Sequence, residues 1–122
     1  MNFVLDTNIL VHYIRRDEIA ERLDAAFRPF AAENRPIVPI VVFGELKSIA
    51  TQNNWGAKKL TLLDELLSKV LRADITIEIV ERYAEIDAFS QNKLANRPLG
   101  ITARNMGKND LWIAATASVL KT

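Results

Sequence analysis

The chain has no cysteine and a single histidine, His12. The first absence excludes a disulfide framework, a thiol nucleophile and a thiolate metal site. The second excludes a zinc site built from several imidazoles. No apolar run approaches the roughly 18 residues needed to span a bilayer. The N-terminus carries neither a basic lead nor an apolar signal segment, so the expectation is a cytoplasmic protein with no membrane partner. Internal repeats and low-complexity segments are absent as well. An excess of one charge is also lacking: 16 Lys and Arg against 15 Asp and Glu leave a net charge of +1. That balance does not announce a nucleic-acid binder, and any such binding needs a local basic face. What is present is ordinary for a globular domain, 49% hydrophobic and 25% charged residues. A length of 122 residues predicts a single domain over 1–122 that can bury a core without staples.

The chain is organised around Phe3-Val4-Leu5-Asp6-Thr7-Asn8-Ile9-Leu10. Three apolar residues run into an acid, a hydroxyl and an amide, and a helical apolar pattern follows. This reads as a buried strand ending in a carboxylate, with a helix starting at once. In open α/β sheets, sites form at the carboxyl ends of the strands. The competing structural reading is that Asp6 only caps the helix.

Residues 1–5 are the expected first strand. Ile9, Leu10, Tyr13 and Ile14 then recur at helical spacing. A second helix is expected from its cap Asp17 to about Ala32, burying Ile19, Leu23, Ala26, Phe27 and Phe30, with Pro29 as a point where it ends early or kinks. The apolar run at 37–43 suits a strand buried on both faces. Pro39 shortens it to about 36–39, so a helix carrying Glu45 starts near Ile40 and runs to about Asn53. Residues 57–71 are expected as a helix faced by Leu60, Leu63, Leu66, Leu67, Val70 and Leu71. A short third strand at 74–77 and a helix at 78–94, burying Val80, Tyr83, Ile86 and Phe89 or their neighbours, follow. Residues 96–108 lack periodicity, and a loop this long is usually functional. The last helix runs from Asp110 or Leu111 to Leu120. Helices alternating with short strands give an α/β class with a parallel sheet.

Asp6, Glu45 and Asp110 each stand near a helix start, after an apolar strand or a glycine-bearing loop. Negative charge is favoured there, which is a structural reason for each. In a doubly wound topology the three converge at the sheet's carboxyl edge, where like charges raise one another's pKa. A divalent cation resolves that conflict. A hard-ion site without histidine or cysteine favours Mg²⁺, with Mn²⁺ as the other choice, over Zn²⁺. Such a site supports phosphodiester cleavage through activated water and charge stabilisation at the phosphate. Arg104 and Lys108, beside Asp110, are candidates for holding the substrate backbone, against the plainer reading of a solvated basic loop.

Val4-Leu5-Asp6-Thr7-Asn8-Ile9-Leu10 resembles the opening motif of PIN-domain ribonucleases, and Phe43-Gly44-Glu45-Leu46 resembles their second. The third match, Asn105-Met106-Gly107-Lys108-Asn109-Asp110-Leu111-Trp112-Ile113-Ala114-Ala115, is the most specific and is similar to VapC toxins of type II toxin–antitoxin pairs. The resemblance implies a three-layer α/β/α PIN-like domain with a short parallel sheet. It further implies a Mg²⁺-dependent endoribonuclease that cleaves RNA, is silenced by a VapB-type antitoxin, and forms a homodimer. Carried over, Asp6 and Asp110 bind metal, directly or through water. Glu45 orients or deprotonates the attacking water. Thr7 and Asn8 brace Asp6, with a helix-start hydrogen bond as the alternative for Asn8.

One departure from the family is expected. VapC chains continue past this last helix into a strand, a T-x-D-type segment with a fourth acid, and a final strand. A chain ending at Thr122 has no room for them. The missing strand lies beside the first strand in the family's sheet, so residues 2–5 are expected to show an open apolar edge. The alternative function is therefore a catalytically incomplete PIN-like module that binds antitoxin or RNA without cutting. Asp87 is a weak substitute for the fourth acid. A phosphotransfer domain with Asp6 as nucleophile lacks the usual second acid in the same loop. His12 reads as a partly exposed histidine, Trp112 as a packing residue, and Trp55 as a packing or antitoxin residue before an RNA platform.

Overall fold

The computed structural model describes residues 1–91 and 107–120. The contacts divide the chain into two compact units, Met1–Ala73 and Asp74–Thr122.

The first unit is built on a three-stranded parallel sheet in the order β1-β2-β3: β1 is Asn2–Val4, β2 Arg35–Pro39 and β3 Leu71–Ala73. Val4 pairs with Ile37, and Ile37 pairs with Leu71. The central strand is the most apolar, and Pro36, Ile37, Val38 and Pro39 are all buried. Strands buried on both faces read as continuous apolar runs, which is what 36–39 shows. Pro39 ends the strand and the next helix begins at Ile40, as the sequence predicts.

Between β1 and β2 lie α1 (Thr7–Arg15) and α2 (Glu18–Phe27); between β2 and β3 lie α3 (Ile40–Gln52) and α4 (Ala57–Ser68). A sheet whose strands follow chain order, joined by right-handed crossovers, carries its connecting helices on one face. Accordingly α1 packs against α2, α3 and α4. Its buried face is Thr7, Leu10 and Ile14, at helical spacing. Leu10, Val38, Val42 and Leu46 form the fully buried centre of this unit.

Two elements differ from the sequence reading. The second helix stops at Phe27, not near Ala32, because Arg28 takes a left-handed conformation (φ 47°) ahead of the buried Pro29. On it only Ala20 is buried, whereas Ile19 and Phe27 are about half exposed, so the expected apolar face is not a core face. The third strand is Leu71–Ala73 rather than 74–77, and α4 ends at Ser68 to feed it. Thr76 lies past that strand, and its hydroxyl caps the next helix by accepting from the Ile79 amide at 3.3 Å. Leu60 is exposed and Leu63 is the buried residue of α4.

Among the described residues β1 is paired on one side only, with β2. Beside it, Phe3, Leu5, Leu23 and Phe27 line an open apolar cleft of about 180 Å³. Phe3 and Phe27 meet edge to face at 6.1 Å.

The second unit pairs α5 (Ile77–Ser90) with α6 (Lys108–Leu120). Ile79, Leu111 and Ala115 are buried, while Val80 is exposed. Tyr83 and Trp112 stack at 4.0 Å with 24° between the rings, and the Arg82 guanidinium donates to the Ser118 hydroxyl. Trp112 is thus a packing residue. The first of these helices ends at Ser90 with Gln91 as its cap, short of the expected end near Leu94.

Candidate active site

Asp6 stands two residues past the end of β1, in extended conformation (φ −92°, ψ 175°). Its Oδ1 accepts from the Ile9 amide at 3.0 Å, a helix-capping bond that fixes the carboxylate at the start of α1. Both readings of Asp6 therefore coexist: the side chain caps the helix and stands at a strand's carboxyl end. Its Oδ2 accepts no hydrogen bond among the described residues.

Glu45 lies in the second turn of α3, the helix that continues β2. Its Oε1 accepts from the Thr7 hydroxyl at 2.8 Å, across 38 residues of sequence. Thr7 is buried and Glu45 half-buried. This bond ties the helix after β1 to the helix after β2, and so sets Glu45 beside the residue that follows Asp6. The sequence reading gives Thr7 the task of bracing Asp6, whereas its hydroxyl is spent on Glu45. Only the sheet register could reveal that link, because no local spacing connects positions 7 and 45. Asn8 is exposed in the first turn of α1 and lines a cavity.

Asp110 is in the first turn of α6, in the second unit, and is exposed. A Cβ added at Gly107 would meet its Oδ2 at 3.4 Å, an ordinary van der Waals contact. Lys108 opens the same helix and is exposed. Arg104 lies outside the described residues. Among the described residues no group of three or more His, Asp or Glu side chains is placed to hold a metal ion. Asp87 is half-buried on α5.

The sequence reading also missed a neighbouring bond. His12 Nδ1 lies 2.7 Å from Asp17 Oδ2, while Asp17 Oδ1 accepts from the Ala20 amide and caps α2. The hydrogen bond from His12, and then that from Ala20, hold the Asp17 carboxyl below its ordinary pKa. Further along α1, burial first, and then the charge and hydrogen bond of Asp24, push the Tyr13 hydroxyl up to about 12.

Short parallel strands that run into helices, with acids just past the first two strands, define an α/β domain of the kind in which sites form at the sheet's carboxyl edge. The sequence profile of the PIN domain family matches residues 3–122, and the chain belongs to that family. Its PIN-like α/β/α class is the one the sequence predicts. Among solved structures it is similar to a chain of the crystal structure of VapBC2 from Rickettsia felis bound to a DNA fragment from their promoter. The match covers 96% of this chain and 80% of that chain, with a TM-score of 0.75 and 23% identity. No curated protein sequence matches.

Proposed function

We propose that this protein is a divalent-metal-dependent endoribonuclease, the toxin of a VapBC-type toxin–antitoxin pair, hydrolysing phosphodiester bonds in RNA. The observation that carries the reading is the Thr7–Glu45 hydrogen bond beside Asp6, in a chain that matches the PIN family along nearly its whole length. The likeness to a VapBC2 chain supports a VapB-type antitoxin as partner. A homodimer and action in the cytoplasm, where RNA is at hand, complete the reading.

The donors suit a hard cation. Asp6 Oδ2 has no hydrogen-bond partner among the described residues, and Glu45 keeps one oxygen beyond the Thr7 bond. Mg²⁺ is commonly held by one or two carboxylates and several waters, and Mn²⁺ takes the same oxygen donors. In this reading Asp6 and Asp110 hold the ion. Once bound, the cation stabilises charge on the phosphate and lowers the pKa of a coordinated water. Glu45, fixed by Thr7, takes the proton of the attacking water. Asn8 extends the polar start of α1 toward substrate, and Arg104 and Lys108 steady the RNA backbone through its phosphates. Cleavage of RNA with Mg²⁺ by the wild type, lost in Asp6→Asn, is the expected result. Equal cleavage by both proteins would refute the assignment.

A second reading is favoured by one observation, that no group of three acids is placed for a metal among the described residues. On it the chain is a PIN-like module that binds antitoxin or RNA without cutting. Calorimetric titration with Mn²⁺ separates the two: the nuclease takes up the ion stoichiometrically and the module does not.

A further inference from the structure

A cavity of about 530 Å³ opens between α1, α3 and the α3–α4 turn. The size is within the roughly 300–1,000 Å³ of small-molecule sites. Its polar and aromatic lining is Asn8, His12, Arg15, Asn53, Trp55 and Lys59, and the rest is aliphatic. No acid lines it. In a chain with 15 carboxylates and a net charge of only +1, an acid-free pocket with two permanent cations is a local basic site. It is the face that overall charge did not announce.

The aromatic ring is held in place. The α3–α4 turn passes through Asn54 in a left-handed conformation (φ 49°), and the Trp55 amide donates to the Ala50 carbonyl at 3.0 Å. The Trp55 side chain is half-buried, so one part is anchored and another open. Lys59, one helical turn on, puts its ammonium over the ring, 5.5 Å from the centroid, a cation–π contact that a stacked base would exchange for its own ring and phosphate. Asn53 donates through Nδ2 to the Ile49 carbonyl at 2.9 Å, which fixes its amide and leaves Oδ1 as an acceptor toward the cavity. An aromatic face, cations beside it and amides at the rim are what a stacked base and its phosphate require.

We infer that this pocket receives one unpaired nucleotide of the RNA substrate, its base stacked on Trp55 and its phosphate held by Lys59 and Arg15. The inference rests on the nuclease reading above. An RNA nucleotide is favoured over a protein segment because the cavity combines permanent cations with hydrogen-bonding amides and offers only one aromatic anchor.

The test uses an unstructured, mixed-sequence RNA oligonucleotide and the full chain, with cleavage kinetics and equilibrium binding measured side by side. Trp55→Ala should weaken RNA binding about ten- to a hundredfold, the span of a lost base–aromatic stack. KM should rise with kcat little changed. Trp55→Phe, which keeps a ring, should recover most of the loss. Replacing Lys59 and Arg15 together by Gln should flatten the salt dependence of binding. In a Trp112→Phe background the fluorescence of Trp55 should be quenched by RNA, a readout that needs no variant at position 55. RNA cleavage unchanged in Trp55→Ala, without quenching, would overturn the pocket and leave the nuclease standing. Loss of antitoxin binding with RNA binding intact would assign the pocket to protein docking and overturn the inference. Failure of the wild type to bind or cut any RNA would overturn the nuclease reading and the pocket with it.

Discussion

Asp6 and Asp110 are both acids at the start of a helix, yet their surroundings differ. Asp6 is half-buried, caps its helix at 3.0 Å, and neighbours a hydroxyl bonded to Glu45. Asp110 is exposed on the first turn of α6. The contrast teaches that an acid's position in a motif does not reveal what holds it. One carboxylate is fixed by its own strand–helix junction, beside a Thr7–Glu45 bond between two helices; the other stands exposed at the start of its helix.

The strongest way to break that contrast is to remove charge without removing shape. Asp6→Asn keeps a capping oxygen, so the melting temperature should hold while RNA cleavage falls by about a hundredfold or more. Asp110→Asn should lower cleavage as far if both acids serve one ion, and an unchanged rate would separate them. Next in size, Leu10→Ala, at a fully buried position under the first junction, should cost about 2–5 kcal/mol in denaturant unfolding.

Thr7→Val keeps the volume and removes the donor to Glu45. About 1–3 kcal/mol of stability is the expected loss, read by urea titration, since a half-buried carboxylate then lacks its partner. Cleavage should drop with it, while Asp6 capping is untouched. In the second unit, Trp112→Leu should lose roughly the 0.5–1.5 kcal/mol of a stacked aromatic pair in the same titration.

The smallest effect is at Asp17. Its carboxyl titrates below the ordinary 3.8 in the folded chain, because His12 and the Ala20 amide favour the charged form. The unfolded chain therefore takes the proton first. The stabilisation is present above the ordinary carboxylate range and is lost as pH falls through the folded pKa. Melting curves from neutral pH to below pH ~4 should show this fall in the wild type and a shallower one in Asp17→Asn.

Much of the architecture is legible in the chain. The run at 36–39, the proline that ends it, the acids at 6 and 17 as helix caps and the aliphatic stripe of α1 are local signals, and each stands where the sequence puts it. The reading failed where one pattern fits two structures. Ile19 and Phe27 follow a helical period yet lie exposed, because periodicity marks a face without saying what covers it. The third strand slipped by three residues because Thr76 has the β-branched character of a strand and the hydroxyl of a cap.

The sequence by itself determined the order of strands and helices, the absence of thiols and of clustered imidazoles, and the motifs that mark a PIN domain. Those follow from near-neighbour rules, in which a side chain acts on its own turn or strand. Only the tertiary structure decided that Thr7 serves Glu45, that His12 pairs with Asp17, and that Trp55 faces a basic, acid-free cavity. Each of these depends on how packed elements align in space, and side chains that meet after folding leave no spacing in the chain to announce it.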